Sequence, residues 1–190
     1  MAEIVLIRHG QTEWSANGRH TSYTDLPLTS EGERQARAAG ERIAGRAFAA
    51  VLASPRQRAL HTAELAGLTV TEVTEDLAEW NYGEYEGITT HDIRAGRPGW
   101  SLWTDGCPGG ESPEQVGERL DRVLARAREL TADGDVALIG HGHCLRVAGA
   151  RWVGLPPAGG ALLRLDTATY SALGFEHETD PVLLTWNAPA

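Results

Sequence analysis

Three short runs of the chain are apolar without interruption: Ile4-Val5-Leu6-Ile7, Val51-Leu52-Ala53 and Val136-Ala137-Leu138-Ile139. Such runs predict strands covered on both faces, as in a parallel sheet flanked by helices. Between them the pattern turns helical. Thr29 and Ser30 follow Leu26-Pro27-Leu28, and Glu33 stands three residues past Ser30, so a capped helix is predicted from about Glu31 to Ala44. A second helix should follow Pro55, and Leu68–Val73 reads as a short strand. Ser112-Pro113-Glu114-Gln115 supplies an N-cap, a proline at the first helical position and a glutamine at the third. Beyond it Val116, Leu120, Val123, Leu124 and Ala127 recur at helical spacing, while Arg119, Asp121, Arg122 and Arg126 are expected to face water. Ala161–Leu165, Tyr170–Phe175 and Val182–Trp186 predict consecutive strands with at least one antiparallel pairing. From Glu79 to Glu111 the periodicity dissolves into aromatic, glycine and proline residues, which marks a functional loop region. An α/β fold follows, in which three parallel strands bring their carboxyl ends together where open sheets bind ligands.

Composition narrows the options. The 190 residues suffice for one buried core, and no linker divides them, so a single domain over 1–190 is expected. A net charge of −9 argues against a nucleic-acid partner. All 17 basic residues are arginine, which excludes a P-loop lysine and Schiff-base chemistry and leaves any anion to a local arginine cluster. The two cysteines, Cys107 and Cys144, give neither a disulfide framework nor zinc spacing and fit a reducing interior. The first strand begins at Ile4 with no room for a cleavable signal, and no apolar stretch reaches membrane-spanning length. A cytoplasmic protein without a membrane partner is therefore expected, with a homodimer left open.

Each of the three apolar runs is followed by residues able to do chemistry. Arg8-His9-Gly10 places an imidazole on a rigid strand end, beside a guanidinium that can grip oxyanions with two prongs and a glycine that admits a ligand to the backbone. Ser54-Pro55-Arg56-Gln57-Arg58 and Gly140-His141-Gly142-His143 follow the other two. Together they point to chemistry on a phosphate. Other readings are weaker. His141 and His143 as a metal pair lack a downstream carboxylate. Cys144 as a thiol-phosphatase nucleophile would want an arginine six positions on, where Ala150 stands, so it reads as a small buried residue. Gly140-His141-Gly142 is no dinucleotide fingerprint, since Leu145 occupies the third glycine position. Arg56 serves equally as ligand or surface residue.

These motifs resemble the histidine phosphatase superfamily, which also contains the cofactor-dependent phosphoglycerate mutases. Arg8-His9-Gly10 with Thr12, Thr24–Gly32, Ser54-Pro55 with Arg58-Ala59 and Thr62-Ala63, Glu79 with Gly83 and Glu86-Gly87, Gly110-Glu111-Ser112, and His141-Gly142 with Arg146 appear in order over almost the whole chain. The resemblance implies a three-layer α/β/α sandwich around a mostly parallel mixed sheet with an antiparallel C-terminal part. It implies His9 as the nucleophile that becomes phosphohistidine, with Arg8, Arg58 and His141 around the phosphoryl group and Ser15, Thr21 and Gly142 as further phosphate contacts. Glu79 matches the proton donor, and burial beside Trp80 would raise its pKa for that role. No metal and no cofactor are implied. Where many members carry asparagine after this tryptophan, Ser15 follows Trp14 and offers a shorter reach.

The run Trp14–Thr21 is similar to the branch of actinobacterial broad-specificity acid phosphatases and fungal sugar-bisphosphate phosphatases, which favours hydrolysis of small phosphorylated metabolites. An acidic pH optimum is expected, because a proton donor at Glu79 must begin protonated and a substrate monoanion is easier to accept. Arg19, His20, Tyr23, Tyr82, Trp100 and Trp103 are the candidate substrate contacts, Trp100 and Trp103 equally readable as loop packing. A mutase and a silent phospho-ligand binding module are the alternatives.

Overall fold

The structure, a computed structural model, describes residues 2–189. Its N-terminal half runs through strand β1 (Ile4–Arg8), helices α1 (Glu13–Asn17) and α2 (Ser30–Arg42), strand β2 (Phe48–Ala53), helix α3 (Gln57–Leu65) and strand β3 (Glu72–Val73). Helices α4 (Thr90–Gly96), α5 (Leu102–Asp105) and α6 (Pro113–Leu130) lead into strand β4 (Asp135–Gly140) and helix α7 (Gly142–Trp152). Strands β5 (Tyr170–Glu176) and β6 (Asp180–Ala188) follow. The strands form one sheet in the order β3-β2-β4-β1-β5-β6. The first four are mutually parallel, and β5 and β6 join antiparallel.

Side chains alternate across a strand, so a run that is apolar at every position fills two cores. Ile4 and Leu6 point with Leu52 and Leu138 into a cluster that includes Leu120 and Val123 of α6 and Leu145 and Val147 of α7. Val5 and Ile7 point the other way, with Val51, Ala53, Ala137 and Ile139, onto Ala39, Ala59 and Ala63 of α2 and α3. This is the α/β/α sandwich that the motifs imply. The four apolar residues of β1 are each no more than 1 % exposed, and each contributes about 1.5–3 kcal/mol by leaving water.

Register then sets the site. Arg8 of β1 pairs with Gly140 of β4, so the next residues, His9 and His141, leave adjacent strand ends together. The His9 amide donates to the Gly140 carbonyl at 3.0 Å, and the Ser54 amide, just past β2, donates to Ile139 at 3.0 Å.

Four local expectations are corrected. Thr29, rather than Ser30, caps α2 through its hydroxyl and the Gly32 amide. Of Leu68–Val73 only Glu72 and Val73 pair as a strand. Ala161–Leu165 is no strand, because Pro156, Pro157 and the following glycines start a 3-10 turn over Pro157–Leu162 that leaves Leu162 exposed. Arg119 does not face water but is buried. The Ser112–Gln115 capping box forms reciprocally, as the pattern predicts. The irregular stretch from Glu79 to Glu111 holds the short helices α4 and α5 and the turn Gly83–Tyr85. No helix among the described residues is long and apolar enough to cross a membrane.

Candidate active site

His9 is nearly buried, and its Nδ1 lies 2.7 Å from the Gly10 carbonyl oxygen. A carbonyl only accepts, so Nδ1 carries the proton and Nε2 keeps its lone pair. Burial, and then the charges of Arg58 and Arg8, hold the imidazole well below its ordinary pKa. The ring is thus neutral and nucleophilic. The Gly10 amide donates to the Thr62 hydroxyl at 3.0 Å, which ties the loop to α3. Glycine is required at this position, because a Cβ would lie 2.3 Å from the Gly32 carbonyl oxygen.

His141 stands 5.0 Å from His9 between ring centroids. Its Nδ1 accepts from Arg58 Nε at 3.2 Å, which leaves the proton on Nε2 to donate to Ser54 Oγ at 2.7 Å. Burial and the same Arg58 keep it neutral too. Arg8 donates from one terminal nitrogen to the Leu165 carbonyl at 2.6 Å, while its buried Nε has no partner among the described residues. An orphaned buried donor on a guanidinium calls for an anionic ligand. A Cβ at Gly142 would come within 3.2 Å of that guanidinium carbon, so glycine keeps the approach open.

Glu79 faces the same space from a loop. Its Oε1 accepts the Trp80 and Cys144 amides at 2.8 and 2.9 Å, and its Oε2 accepts the His143 amide at 3.0 Å. Two of these donors belong to the first turn of α7, where amides have no partner within the helix. The expected apolar niche beside Trp80 is therefore a ring of backbone donors, and Oε2, with a single bond, is the oxygen free to exchange a proton with a ligand. Arg119 holds the segment that carries Glu79. It donates to the carbonyls of Asp76 (2.9 Å) and Ala78 (2.7 Å) and grips Glu111 with two bonds of 2.7 and 3.0 Å. Glu111 in turn accepts the Asn81 amide at 2.8 Å.

The opposite wall is residues 19–24, clamped from two sides. Arg58, fully buried, donates to the carbonyls of Thr21, Ser22 and Thr24 at 3.0–3.2 Å. Glu86 accepts the amides of Ser22 and Thr24 and the Ser22 hydroxyl at 2.6–3.1 Å. Within this wall His20 donates Nδ1–H to the Ile88 carbonyl at 2.6 Å, and its ring lies 4.6 Å from that of Tyr82. Burial lowers His20 and lowers His143 well below the ordinary histidine value, and it raises the Tyr82 phenol well above its own.

The cavity between these walls opens to solvent and has a volume of about 260 Å³. Arg8, His9, Ser15, Arg19, His20, Thr21, Glu79, Tyr82 and Gly142 line it, as do His143, Arg146 and Thr90. Six predicted residues stand elsewhere or otherwise engaged. Tyr23 is 63 % exposed and stacks under Arg56, which itself pairs with Glu75. Trp100 is buried, donates to the Gly106 carbonyl and packs on Tyr85. Trp103 lies beneath Arg146 and beside Trp80. Ser15 reaches the cavity but spends its hydroxyl on Thr12 in the capping box of α1. Arg58 and His141 sit directly behind His9 and do not line the cavity. Cys144 is buried with its thiol pushed far up, and Cys107 is pushed up to about 12, both by burial. Among the described residues, no group of three or more His, Cys, Asp or Glu side chains is placed to hold a metal ion.

Sequence reasoning missed Arg119, Glu111 and Glu86 as supports. Arg119 carried a signal, since it falls three residues after Val116 and four before Val123, on the apolar stripe itself. A charge on such a stripe must be buried and paired.

Comparison with known proteins shows the family and the fold. Residues 4–189 match the histidine phosphatase superfamily (branch 1). An acid phosphatase of Mycobacterium tuberculosis is 48 % identical over 176 residues, covering 92 % of this chain and 87 % of that protein. The structure of the open reading frame Rv3214 from M. tuberculosis superposes with a TM-score of 0.96 at 45 % identity, covering 99 % of this chain and 98 % of that one. A mycobacterial glucosyl-3-phosphoglycerate phosphatase complexed with VO3 gives a TM-score of 0.86 at 31 % identity, over 99 % and 100 % of the two chains.

Proposed function

This chain belongs to the histidine phosphatase superfamily, branch 1, and on that basis we propose that it is a metal-independent phosphomonoesterase of small metabolites working through phospho-His9. The observation that carries the reading is that one cavity is faced by the His9 ring with its lone pair on Nε2, by the unpartnered Nε of Arg8 and by the Glu79 carboxyl.

The phosphoryl oxygens dock on Arg8, whose charge offsets theirs as the bond to the leaving group lengthens. His9 Nε2 attacks phosphorus in line, and its Nδ1–H bond to Gly10 holds the ring as positive charge develops on it. Glu79 Oε2 protonates the departing alkoxide, then takes a proton from the water that cleaves the phosphohistidine. Arg58 and His141 act from behind. Their mutual bond fixes the His141 tautomer, and the clamp of Arg58 on residues 21–24 keeps the cavity walls apart. Arginines supply the positive charge in this scheme, so none of its steps calls for a metal. Because His9 is held neutral well below its ordinary range, the nucleophile survives into mildly acidic pH, where phosphate monoesters carry less charge.

The test is phosphate release from a panel of phosphorylated metabolites at mildly acidic pH, beside conversion of 3-phosphoglycerate to 2-phosphoglycerate with and without bisphosphoglycerate. Release without isomerisation is expected. Isomerisation that outpaces release would assign the site to a mutase instead.

A further inference from the structure

In a chain of net charge −9, most buried or half-buried arginines have a carboxylate partner, as Arg46, Arg58, Arg119 and Arg151 do. Among the arginines that line the cavity, the half-buried Arg8 and Arg146 and the exposed Arg19 form no ion pair among the described residues, and Glu79 is the one carboxylate in the same lining. Arg8 sits at the phosphoryl end beside His9. Arg146 sits elsewhere, on the second turn of α7, and is fixed in three ways. Its Nε donates to the Gly160 carbonyl at 3.0 Å, one terminal nitrogen donates to Ala161 at 3.1 Å, and its guanidinium lies 4.4 Å from the centre of the Trp103 ring. The other terminal nitrogen has no partner.

His143 packs edge-on to the same tryptophan at 5.2 Å. Its Nδ1 is 2.6 Å from the Tyr82 hydroxyl, and that buried phenol has no other hydrogen-bond partner, so the phenol donates and the imidazole proton stays on Nε2. Trp103 thus carries a guanidinium with one terminal nitrogen free and an imidazole N–H, both on residues that line the cavity and neither donor partnered among the described residues. The amide of His143 is also the group that binds Glu79 Oε2, which places this pair on the leaving-group side of the reaction. A hydroxyl could satisfy the N–H but would leave the half-buried charge of Arg146 without a counter-charge.

We propose that Arg146 and the Nε2–H of His143 form a second-anion subsite, which selects substrates whose leaving alcohol carries a carboxylate or a second phosphate. The proposal rests on the phosphomonoesterase reading above and adds a specificity-determining residue to it. Arg19, on the rim, adds positive potential at the entrance.

The test compares kcat/KM for matched pairs. Glycerol 3-phosphate against 3-phosphoglycerate exchanges a neutral group for a carboxylate on three carbons. Fructose 6-phosphate against fructose 1,6-bisphosphate adds a second phosphate. The wild-type protein should prefer the doubly anionic member of at least one pair by about tenfold to a hundredfold, and the pair that shows it identifies the group received. Arg146→Gln should reduce that preference at least tenfold, mainly through KM, and Arg146→Lys should restore part of it. Equal use of both members by the wild-type protein, or a preference unchanged in Arg146→Gln, would overturn the subsite. The wild-type comparison stands even if Arg146→Gln fails to fold, and hydrolysis of both members without preference would leave the phosphomonoesterase reading intact. Absence of any hydrolysis would remove both.

Discussion

His9 and Glu79 face one cavity, yet they are held there by opposite means. His9 stands at the end of a strand buried on both faces, and the register of β1 with β4 sets its place beside His141. Glu79 stands in an irregular stretch and is fixed by side chains that reach backbone groups remote in sequence: Arg119 on the carbonyls before it, the α7 amides on its oxygens. The wall of residues 19–24 is of the second kind, held by Arg58 and Glu86. A sheet end tolerates loss of any single contact, whereas a loop wall depends on a few charged anchors. Geometry at the nucleophile should therefore be robust, and geometry at the proton donor and the rim should be fragile.

The largest expected effect breaks the first half of the comparison at its chemistry. His9→Ala should fold normally and lose activity by on the order of 10⁴-fold or more in kcat/KM, read with a chromogenic phosphate. Glu79→Gln follows, at about 10²–10⁴-fold in kcat for an alkyl phosphate. It should cost far less for p-nitrophenyl phosphate, whose leaving group needs no proton, and equal losses on both substrates would deny Glu79 the acid role. Arg58→Met removes the anchor shared by both walls. It should destabilise the fold by about 2–4 kcal/mol in urea titrations, because several buried carbonyls lose their donor, and should lower kcat as well.

Acid sharpens the contrast differently. His9, His20, His141 and His143 are all held below the ordinary histidine value, so the unfolded chain takes up protons below about pH 6.5 that the folded chain refuses. Stability is full above that pH and falls as pH drops through it, by up to about 1.4 kcal/mol per pH unit for each histidine. The melting temperature should drop from pH 7 to pH 5, and drop less in His143→Gln. A melting temperature independent of pH over that span would contradict the assignment of neutral rings. The smallest effect is Glu86→Gln, which keeps the shape of the carboxylate but weakens its charge-assisted bonds to Ser22 and Thr24. A loss of about 1–2 kcal/mol is expected, with KM rising several-fold and kcat little changed.

The same division decides what the sequence made legible. Ile4–Ile7, Val51–Ala53 and Val136–Ile139 declare their strands because apolar residues at every position fit only a sheet covered twice, and residues that end such strands converge by topology. Hence Arg8, His9, His141 and Gly142 could be placed together. Arg19, His20 and Tyr82 were picked out from loops and do line the cavity, but Tyr23 and Trp100 came from the same loops and turned elsewhere. An aromatic in a loop packs wherever a core has room, and nothing local in the chain records that. The support that Glu86 gives was missed for a related reason: it mostly accepts main-chain amides, which every residue owns. Arg119 was marked by its place on the apolar stripe of α6, but nothing local named the carbonyls and the Glu111 carboxylate that it holds. The cap of α2 fell one position from the expected one, since Thr29 and Ser30 are chemically equivalent as caps and only the chain path chooses.

The account depends most on covalent chemistry at His9. Mixing the protein with a slowly hydrolysed phosphate ester, stopping with alkaline denaturant that preserves phosphohistidine, and mapping the phosphoryl group by mass spectrometry tests it directly. A phosphoryl group on the peptide containing His9, formed and lost at rates compatible with turnover, is the predicted result. Turnover with His9 unmodified at every time point, or a phosphoryl group on another residue, would contradict it.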